Sequence, residues 1–236
     1  MPILNLDKKI FEQHLHKFNE RVMSDITSHA GKSGTMYSEL FSFCCIGEHY
    51  GIDMIVEGGT LIGYSAIILS KYFGDIPIIT IDRKVCENVR ENIKPYSNIK
   101  FKHGNGIKLI PDIVRTHPKN KIGMFLDGPK GVNALPIAEQ CFKFGNVLFV
   151  AFHDMCKSGL TKNRVMIDNK SRVQFERLNY DQFYTDVDWF VDTYSKPLDV
   201  DKFEENGKIV IKEIGSRAFA YGSYGPTMGF IFKEKI

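Results

Sequence analysis

Short apolar runs alternate with amphipathic segments through the middle of the chain. The apolar runs are rich in Ile, Val and Phe, which is typical of strands that are buried on both faces of a sheet. The segments between them carry apolar residues at helical spacing. The predicted strands cover 52–58, 76–82, 98–104, 122–128 and 146–154. The predicted helices between them cover 64–73, 85–93, 107–117 and 132–144. This alternation predicts a parallel, doubly wound sheet.

The two ends of the chain depart from this alternation. Two helices are predicted before the first strand, over 6–29 and 36–50, with a Gly-containing break between them. Towards the other end, an aromatic-rich segment over 171–196 has helical spacing and follows a predicted loop. The apolar runs at 208–215 and 227–233 are joined by a connection too short for a crossover helix, which favours an antiparallel pair.

These patterns predict an α/β fold, a Rossmann-like doubly wound sheet of seven strands whose last hairpin is antiparallel. We expect an N-terminal helical cap over 1–50 and a ligand-binding domain over 51–236. Within that domain, an insertion over about 155–206 precedes the last two strands and is a candidate substrate-binding segment. The N-terminal helices are candidates for covering the sheet, closing the site or forming a homodimer contact.

Composition and charge limit the partners and the cellular compartment that we expect. The 236-residue chain carries a formal net charge of +3, which is too weak to indicate a nucleic-acid partner. No apolar stretch is long enough for a membrane span, and charged residues interrupt the N-terminus too soon for a secretion signal. None of the five Cys forms a Cys-x-x-Cys pair. We therefore expect a cytoplasmic protein without a nucleic-acid partner or a membrane span.

The first chemical signal is the sequence EGGTLIGYS, which follows the first predicted strand at 57–65. Gly58, Gly59 and Gly63 lie between a strand and a helix, where glycine lets the backbone turn sharply and approach a ligand. The next strand ends at Asp82, whose carboxylate can accept hydrogen bonds from both ribose hydroxyls of a nucleoside. Ligands of such sheets bind beyond these strand ends, so the pair indicates a nucleoside-containing cofactor.

Two cofactors fit this position, a nicotinamide dinucleotide and S-adenosylmethionine (SAM). A dinucleotide site uses Gly-x-Gly-x-x-Gly, whereas this turn reads Glu-x-Gly-x-x-x-Gly. Glu57 is a poor neighbour for a diphosphate and a suitable one for the cationic sulfonium and amine of SAM. SAM is therefore favoured, and a turn in which the glycines serve only the backbone is the simpler alternative.

The chain here resembles the class I SAM-dependent methyltransferases, and most closely catechol O-methyltransferase and related small-molecule and sugar O-methyltransferases. The resemblance is carried by VEGGTLIGYSAIILSKYF, TID, MFLDGPK and FHD, and it covers roughly 30–154. It implies a methyltransferase fold and activity, with the segment 36–38 near the methionine end of SAM. The cofactor contacts that it implies are Glu57, Gly58, Gly59, Tyr64, Ser65, Asp82, Arg83, Gly104, Asn105 and Asp127.

The fourth predicted strand ends in FLDGPK, which places Asp127 and Lys130 at the same rim as the glycine turn. Methyl transfer to a hydroxyl needs a positioned acceptor and a group that takes the hydroxyl proton. The resemblance implies that Asp127 ligates Mg²⁺ and that Lys130 is the general base. A lysine serves as a base where burial or a nearby cation lowers its pKa.

The fifth strand is followed by His153–Asp154, where the family usually has Asp followed by Asp or Asn. This difference leaves three interpretations open. In the first, Asp127 and Asp154 hold Mg²⁺ or another divalent metal, and His153 points elsewhere. In the second, a softer metal is bound through His153. In the third, no metal is bound, and His153 or Asp127 is the base, with Asp154 as its orienting partner.

The aromatic residues that precede the last two predicted strands bear on the identity of the acceptor. Aromatic side chains such as Tyr180, Tyr184 and Trp189, together with neighbouring Asp residues, suit a sugar or glycan hydroxyl. A catechol or similar phenol is the alternative acceptor. Other function classes are an NAD-dependent oxidoreductase, against which the glycine spacing argues, and a non-catalytic nucleoside-binding protein. A nucleic-acid methyltransferase is disfavoured because no Asn/Asp-Pro-Pro-Tyr/Phe tetrad follows the fourth strand.

Overall fold

A mixed sheet forms the centre of the computed structural model, which describes residues 8–25, 35, 37–129, 133–153, 184–185 and 228–233. Its strands are β1 (Met54–Gly58), β2 (Ile78–Asp82), β3 (Ile99–His103), β4 (Ile122–Leu126), β5 (Val147–Phe152), β6 (Tyr184–Thr185) and β7 (Gly229–Phe232). The strand order is β3-β2-β1-β4-β5-β7-β6. Strands β1 to β5 pair in parallel, and β7 pairs antiparallel with β5. The predicted α/β, doubly wound fold is confirmed.

Helices cover both faces of the sheet. They are α1 (Lys8–Arg21), α2 (Tyr37–Tyr50), α3 (Tyr64–Phe73), α4 (Val89–Ile93), α5 (Gly106–Thr116) and α6 (Ala134–Phe142). Helices α1, α2 and α3 share one apolar core with one face of the sheet, and α5 and α6 share the other core with the opposite face. Successive residues of β1 point to opposite faces, so Ile55 belongs to the first core and Val56 to the second.

The order of the strands creates a switch point between β1 and β4. From β1 the chain adds β2 and β3 on one side, then returns to add β4 and β5 on the other. Connections that leave β1 and β4 therefore diverge, which leaves a crevice beyond their carboxyl ends. The glycine turn after β1 and the segment after β4 flank that crevice, so the fold brings together the two candidate motifs of the sequence.

Helix α2 lies directly on the sheet. The ring of Phe43 makes edge contacts with Phe125 of β4 and Phe149 of β5, and the ring of Tyr50 stacks on Phe232 of β7 with centroids 5.4 Å apart. Helix α1 lies outside it and is held in part by an ion pair between Lys17 and Glu48. The predicted division at residue 50 and the predicted insertion over 155–206 stay predictions.

The helix predicted over 171–196 is wrong at the two residues of this range that the structure describes. Tyr184 and Thr185 were expected in a helix over 171–196, but they form β6 and pair antiparallel with β7. Aromatic periodicity suggested a helix, and pairing with an open sheet edge overrides that local preference. The predicted strand over 208–215 and the remainder of 171–196 lie outside the described residues, whereas most of the strand predicted at 227–233 is present as β7.

Among the described helices, none has both the length and the apolar composition that crossing a bilayer requires.

Candidate active site

The turn after β1 meets the segment after β4 without space for side chains. The carbonyl oxygen of Gly58 accepts hydrogen bonds from the backbone N–H groups of Asp127 and Gly128, each at 2.8 Å. A Cβ on Gly58 would overlap the carbonyl oxygen of Gly128. A Cβ on Gly59, whose φ is +97°, would lie 2.8 Å from the backbone nitrogen of Gly128. The glycines therefore allow two loops to touch at the floor of the crevice.

A cleft of about 440 Å³ opens above this contact. Five of the residues predicted to bind the cofactor line it: Gly59, Asp82, Arg83, Asn105 and Asp127. The other predicted cofactor contacts are not on its wall: Glu57, Gly58, Tyr64, Ser65 and Gly104. Gly58 forms the floor just described, and Glu57 and Ser65 are buried behind the turn. The cleft thus joins the ends of β1, β2 and β4 and the start of α5.

Asp82 connects the end of β2 to the glycine turn. Its Oδ2 accepts a hydrogen bond from the backbone N–H of Leu61 at 3.0 Å, and its Oδ1 accepts one from Lys84 at 2.9 Å. Leu61 has a positive φ of 48°, which is unusual for a branched side chain, so this contact helps to hold the turn. A carboxylate has about four acceptor positions, and Asp82 therefore retains acceptor capacity on the cleft side.

Asn105 fixes the start of α5 beside Asp82. Its Oδ1 accepts a hydrogen bond from the backbone N–H of Ile107 at 3.0 Å, which caps the helix. The backbone N–H of Gly104 donates to the carbonyl oxygen of Asp82 at 2.8 Å. The predicted nucleoside-binding residues are therefore neighbours, although they come from different loops.

Glu57 is a fully buried carboxyl group beneath the turn. The hydroxyl of Ser65 donates to its Oε1, and its Oε2 has no hydrogen-bond partner among the described residues. Burial is the main reason that the pKa of Glu57 is raised to about 7; the hydroxyls of Ser65 and Thr80 oppose the rise, and the carboxylates of Asp127 and Asp82 contribute to it. An orphaned oxygen of this kind suits a ligand that brings a hydrogen-bond donor or a positive charge.

Replacing Glu57 by Gln is expected to change how stability depends on pH. The folded carboxyl group keeps its proton up to a pH of about 7, whereas the unfolded group loses it near 4.5. Stability is therefore lost as the pH rises from about 4.5 through 7, by on the order of 3 kcal/mol. Glu57→Gln should remove this slope. Urea unfolding at pH 5 and pH 8 measures how much the free energy of unfolding changes between the two pH values. An equal change in the wild type and in Glu57→Gln would contradict the prediction.

His153 joins two carboxylates at the end of β5. Its Nδ1 lies 2.9 Å from Oδ1 of Asp127, and its Nε2 lies 3.3 Å from Oε2 of Glu39. Glu39 is fully buried in the first turn of α2, and His153 is also buried. When both carboxylates are ionised, the imidazole serves them both only by donating from both nitrogens, and it is then a cation. Sequence analysis predicted His153 and Asp127 but missed Glu39.

The contacts of His153 bear on the predicted metal site. In this arrangement both ring nitrogens face carboxylate oxygens, so neither is directed at a metal ion. The part of the chain that the structure describes contains no group of three or more His, Cys, Asp or Glu side chains arranged to hold a metal. Lys130 and Asp154 lie outside the described residues. A metal held through His153 therefore does not fit these contacts, and a pair of Asp127 and Asp154 stays a prediction.

Tyr64 begins α3 at the far side of the turn. Its ring contacts that of Tyr37 edge to face with centroids 5.8 Å apart. Burial raises the pKa of both phenols, most strongly for Tyr64. The segment 36–38, predicted near the methionine end of a cofactor, is thus in contact with the predicted cofactor-binding helix through Tyr37.

Comparison with solved structures finds methyltransferases. The chain is similar to the S-adenosylhomocysteine (SAH)-bound Podospora anserina methyltransferase PaMTH1, with 15% identity over 61% of this chain and 62% of that chain and a TM-score of 0.42. It is similar to the O-methyltransferase TomG from Streptomyces achromogenes in complex with SAM, with 18% identity over 61% of this chain and 65% of that chain and a TM-score of 0.40. It is also similar to an O-methyltransferase from Bacillus cereus in complex with SAH, with 18% identity over 78% of this chain and 84% of that chain and a TM-score of 0.45.

The chain spans less than two thirds of the length of the Podospora and Streptomyces proteins. No family model matches the sequence, and no curated protein matches it. Because a single fold of this kind hosts many activities, the function is argued below from the cleft itself.

Proposed function

We propose that this chain is a SAM-dependent O-methyltransferase that transfers a methyl group to a hydroxyl of a small molecule or glycan. The observation that carries the proposal is the cleft at the switch point, which has Asp82 on its nucleoside side and Asp127 at the end of β4. A sugar or glycan hydroxyl is the proposed acceptor, and a catechol or other phenol is the second candidate.

The charges around the cleft support SAM over a dinucleotide. Asp82 and Asp127 line the cleft. Their carboxylates would repel a diphosphate, whereas they suit a ligand with a sulfonium and an amine. We assign the ribose to Asp82 and the adenine to the side of the cleft lined by Asn105 and Arg83. SAM, once bound, supplies the electrophilic methyl carbon.

The protein's own task is then to orient the acceptor hydroxyl and to move its proton. Asp127 is the described carboxylate at the rim of β4 that both lines the cleft and contacts His153. We assign to Asp127 the hydrogen bond from the acceptor hydroxyl and the proton that this hydroxyl releases as its oxygen attacks the methyl carbon of SAM. Lys130, three residues further along the chain, is the alternative general base. No step of this proposal requires a metal ion.

The proposed function is tested by calorimetric titration with SAH and with NAD, each in the presence of EDTA and again with Mg²⁺. Binding of SAH but not NAD is expected, and it would be followed by transfer of a labelled methyl group from SAM to methyl glycosides and to 3,4-dihydroxybenzoate. Preference for NAD, or no binding of SAH, would overturn the proposal. A requirement for Mg²⁺ would favour the pairing of Asp127 with Asp154 as metal ligands.

Asp82→Ala is expected to weaken SAH binding by about 10- to 100-fold. The variant removes the proposed ribose acceptor and also the side chain that holds Leu61, and each lost hydrogen bond to a charged group costs about 1.5–3 kcal/mol. Asp75→Ala is the matched control because Asp75 is an exposed carboxylate that precedes the same strand. Calorimetry measures both, and an unchanged SAH affinity in Asp82→Ala would remove Asp82 from the cofactor site.

A further inference from the structure

We propose that Glu39 is a positioning residue for the methyl transfer and that it acts through His153 to hold Asp127 in its working orientation. This inference rests on the proposed function. It assigns a role to a residue of α2, a helix that does not line the cleft among the described residues. It also gives His153 a role different from the two that the sequence suggested, base and metal ligand.

The three side chains form a line from the helical layer to the cleft. Glu39 is fully buried, His153 has 7% of its side chain exposed, and Asp127 has 22% exposed. Only Asp127 of the three lines the cleft. Exposure therefore increases in one direction, from the carboxylate on α2 through the imidazole to the carboxylate that faces a ligand.

The burial of Glu39 means that its carboxylate needs compensating partners. Ten further residues from Tyr37 to Gly47 are buried with it, and most of them are apolar. A carboxylate in such a place is strongly destabilising unless a charged or hydrogen-bonding partner compensates it. The imidazole of His153 is such a partner, at 3.3 Å. The pair thereby fixes the position of the histidine ring.

A fixed imidazole in turn constrains Asp127. With Nε2 directed at Glu39, the opposite nitrogen, Nδ1, points towards Oδ1 of Asp127 at 2.9 Å. The edge contact between the rings of His153 and Phe125 further limits rotation. One oxygen of Asp127 is thus occupied by His153, and we assign the other to the acceptor hydroxyl. Supporting residues of this kind typically change activity by about 10- to 100-fold when they are replaced.

The test compares Glu39→Gln with Glu48→Gln. Each variant replaces one carboxylate of α2 by an amide, but Glu48 pairs with Lys17 on α1, away from the cleft. The assays are SAH calorimetry and the rate of methyl transfer from SAM to 3,4-dihydroxybenzoate and to methyl glycosides. For Glu39→Gln we expect kcat to fall by about 10- to 100-fold while SAH affinity stays within about twofold. Glu48→Gln should retain the wild-type kcat.

A double-mutant cycle tests whether Glu39 acts through His153. If it does, Glu39→Gln combined with His153→Gln should be no slower than His153→Gln alone, because the intermediary is already lost. If the fold-decreases in kcat of the two single variants instead multiply in the double variant, the proposed route is overturned. If Glu39→Gln fails to fold, Glu39→Asp provides the test. It keeps a carboxylate but withdraws it from Nε2 of His153, so kcat should fall while SAH affinity stays within about twofold.

Failure of this inference differs from failure of the proposed function. A wild type that binds SAH and transfers methyl groups, with equal rates in Glu39→Gln and Glu48→Gln, would overturn the role of Glu39 alone. A wild-type kcat in Glu39→Asp would do the same. A wild type that neither binds SAH nor transfers methyl groups would overturn the proposed function, and the role of Glu39 with it.

Discussion

Asp127→Asn is expected to lower the rate of methyl transfer by about 10²- to 10³-fold while the protein remains folded. The amide keeps the size of the side chain and an oxygen that can still accept the hydrogen bond from His153. It loses the negative charge with which Asp127 takes the proton of the acceptor hydroxyl, and general-base contributions are typically of this size. The measurement is the initial rate of labelled methyl transfer from SAM, together with the SAH affinity.

Asp112→Asn is the control for this change. Asp112 is an exposed carboxylate on α5 that pairs with Arg115 three residues later, so its replacement leaves the cleft intact. Its rate should match that of the wild type. If Asp127→Asn retained the wild-type rate as well, Asp127 would have no role in orienting the acceptor, and the chemical part of the proposed function would need another residue.

Gly58→Ala is expected to lower the free energy of unfolding by at least about 3 kcal/mol and to abolish SAH binding. The added methyl group would overlap the carbonyl oxygen of Gly128, which belongs to backbone and cannot turn aside as a flexible side chain can. Relief requires the loops after β1 and β4 to separate, which breaks the two hydrogen bonds that the carbonyl oxygen of Gly58 accepts. Overpacking of this kind commonly costs about 1–3 kcal/mol, and lost backbone hydrogen bonds add to it.

Gly51→Ala separates this close contact from a general effect of replacing glycine. Gly51 has a φ of +61°, and a Cβ there would meet no atom within 4 Å. Its replacement should cost about 1 kcal/mol through backbone strain alone, and SAH should still bind. Urea unfolding and calorimetry on both variants measure the difference. Equal losses of stability would mean that the contact between the two loops is not tight.

The candidate site shows where prediction from local sequence works. Asp82, Asp127 and His153 each follow an apolar run, and parallel strands bring their carboxyl ends to one edge of a sheet. Position in the chain was therefore sufficient to expect them at the same rim. The same reasoning identified the turn at Gly59, because a strand, a glycine-rich stretch and a helix must be joined tightly there.

Local sequence did not predict the partners of these side chains. Glu39 was missed because nothing in YSELFSFCCIGEHY distinguishes a buried carboxylate from an exposed one, apart from its isolation within an apolar segment. Leu61 was missed because its role lies in a backbone N–H that donates to Asp82, and every residue except proline has that group. The strand β6 was missed because pairing across a sheet edge depends on residues distant in the chain.

The sequence by itself determined the alternation of β1 to β5 with helices, the parallel core of the sheet and the rim at which the polar residues gather. These follow from the periodicity of apolar residues, which each segment carries locally. Only the tertiary structure decided that Glu57 is buried with one oxygen unpartnered, and that His153 faces Glu39 and Asp127. Burial and the direction of a side chain depend on which other element packs against it, and α2, β4 and β5 meet only when the sheet and its helical layer have assembled.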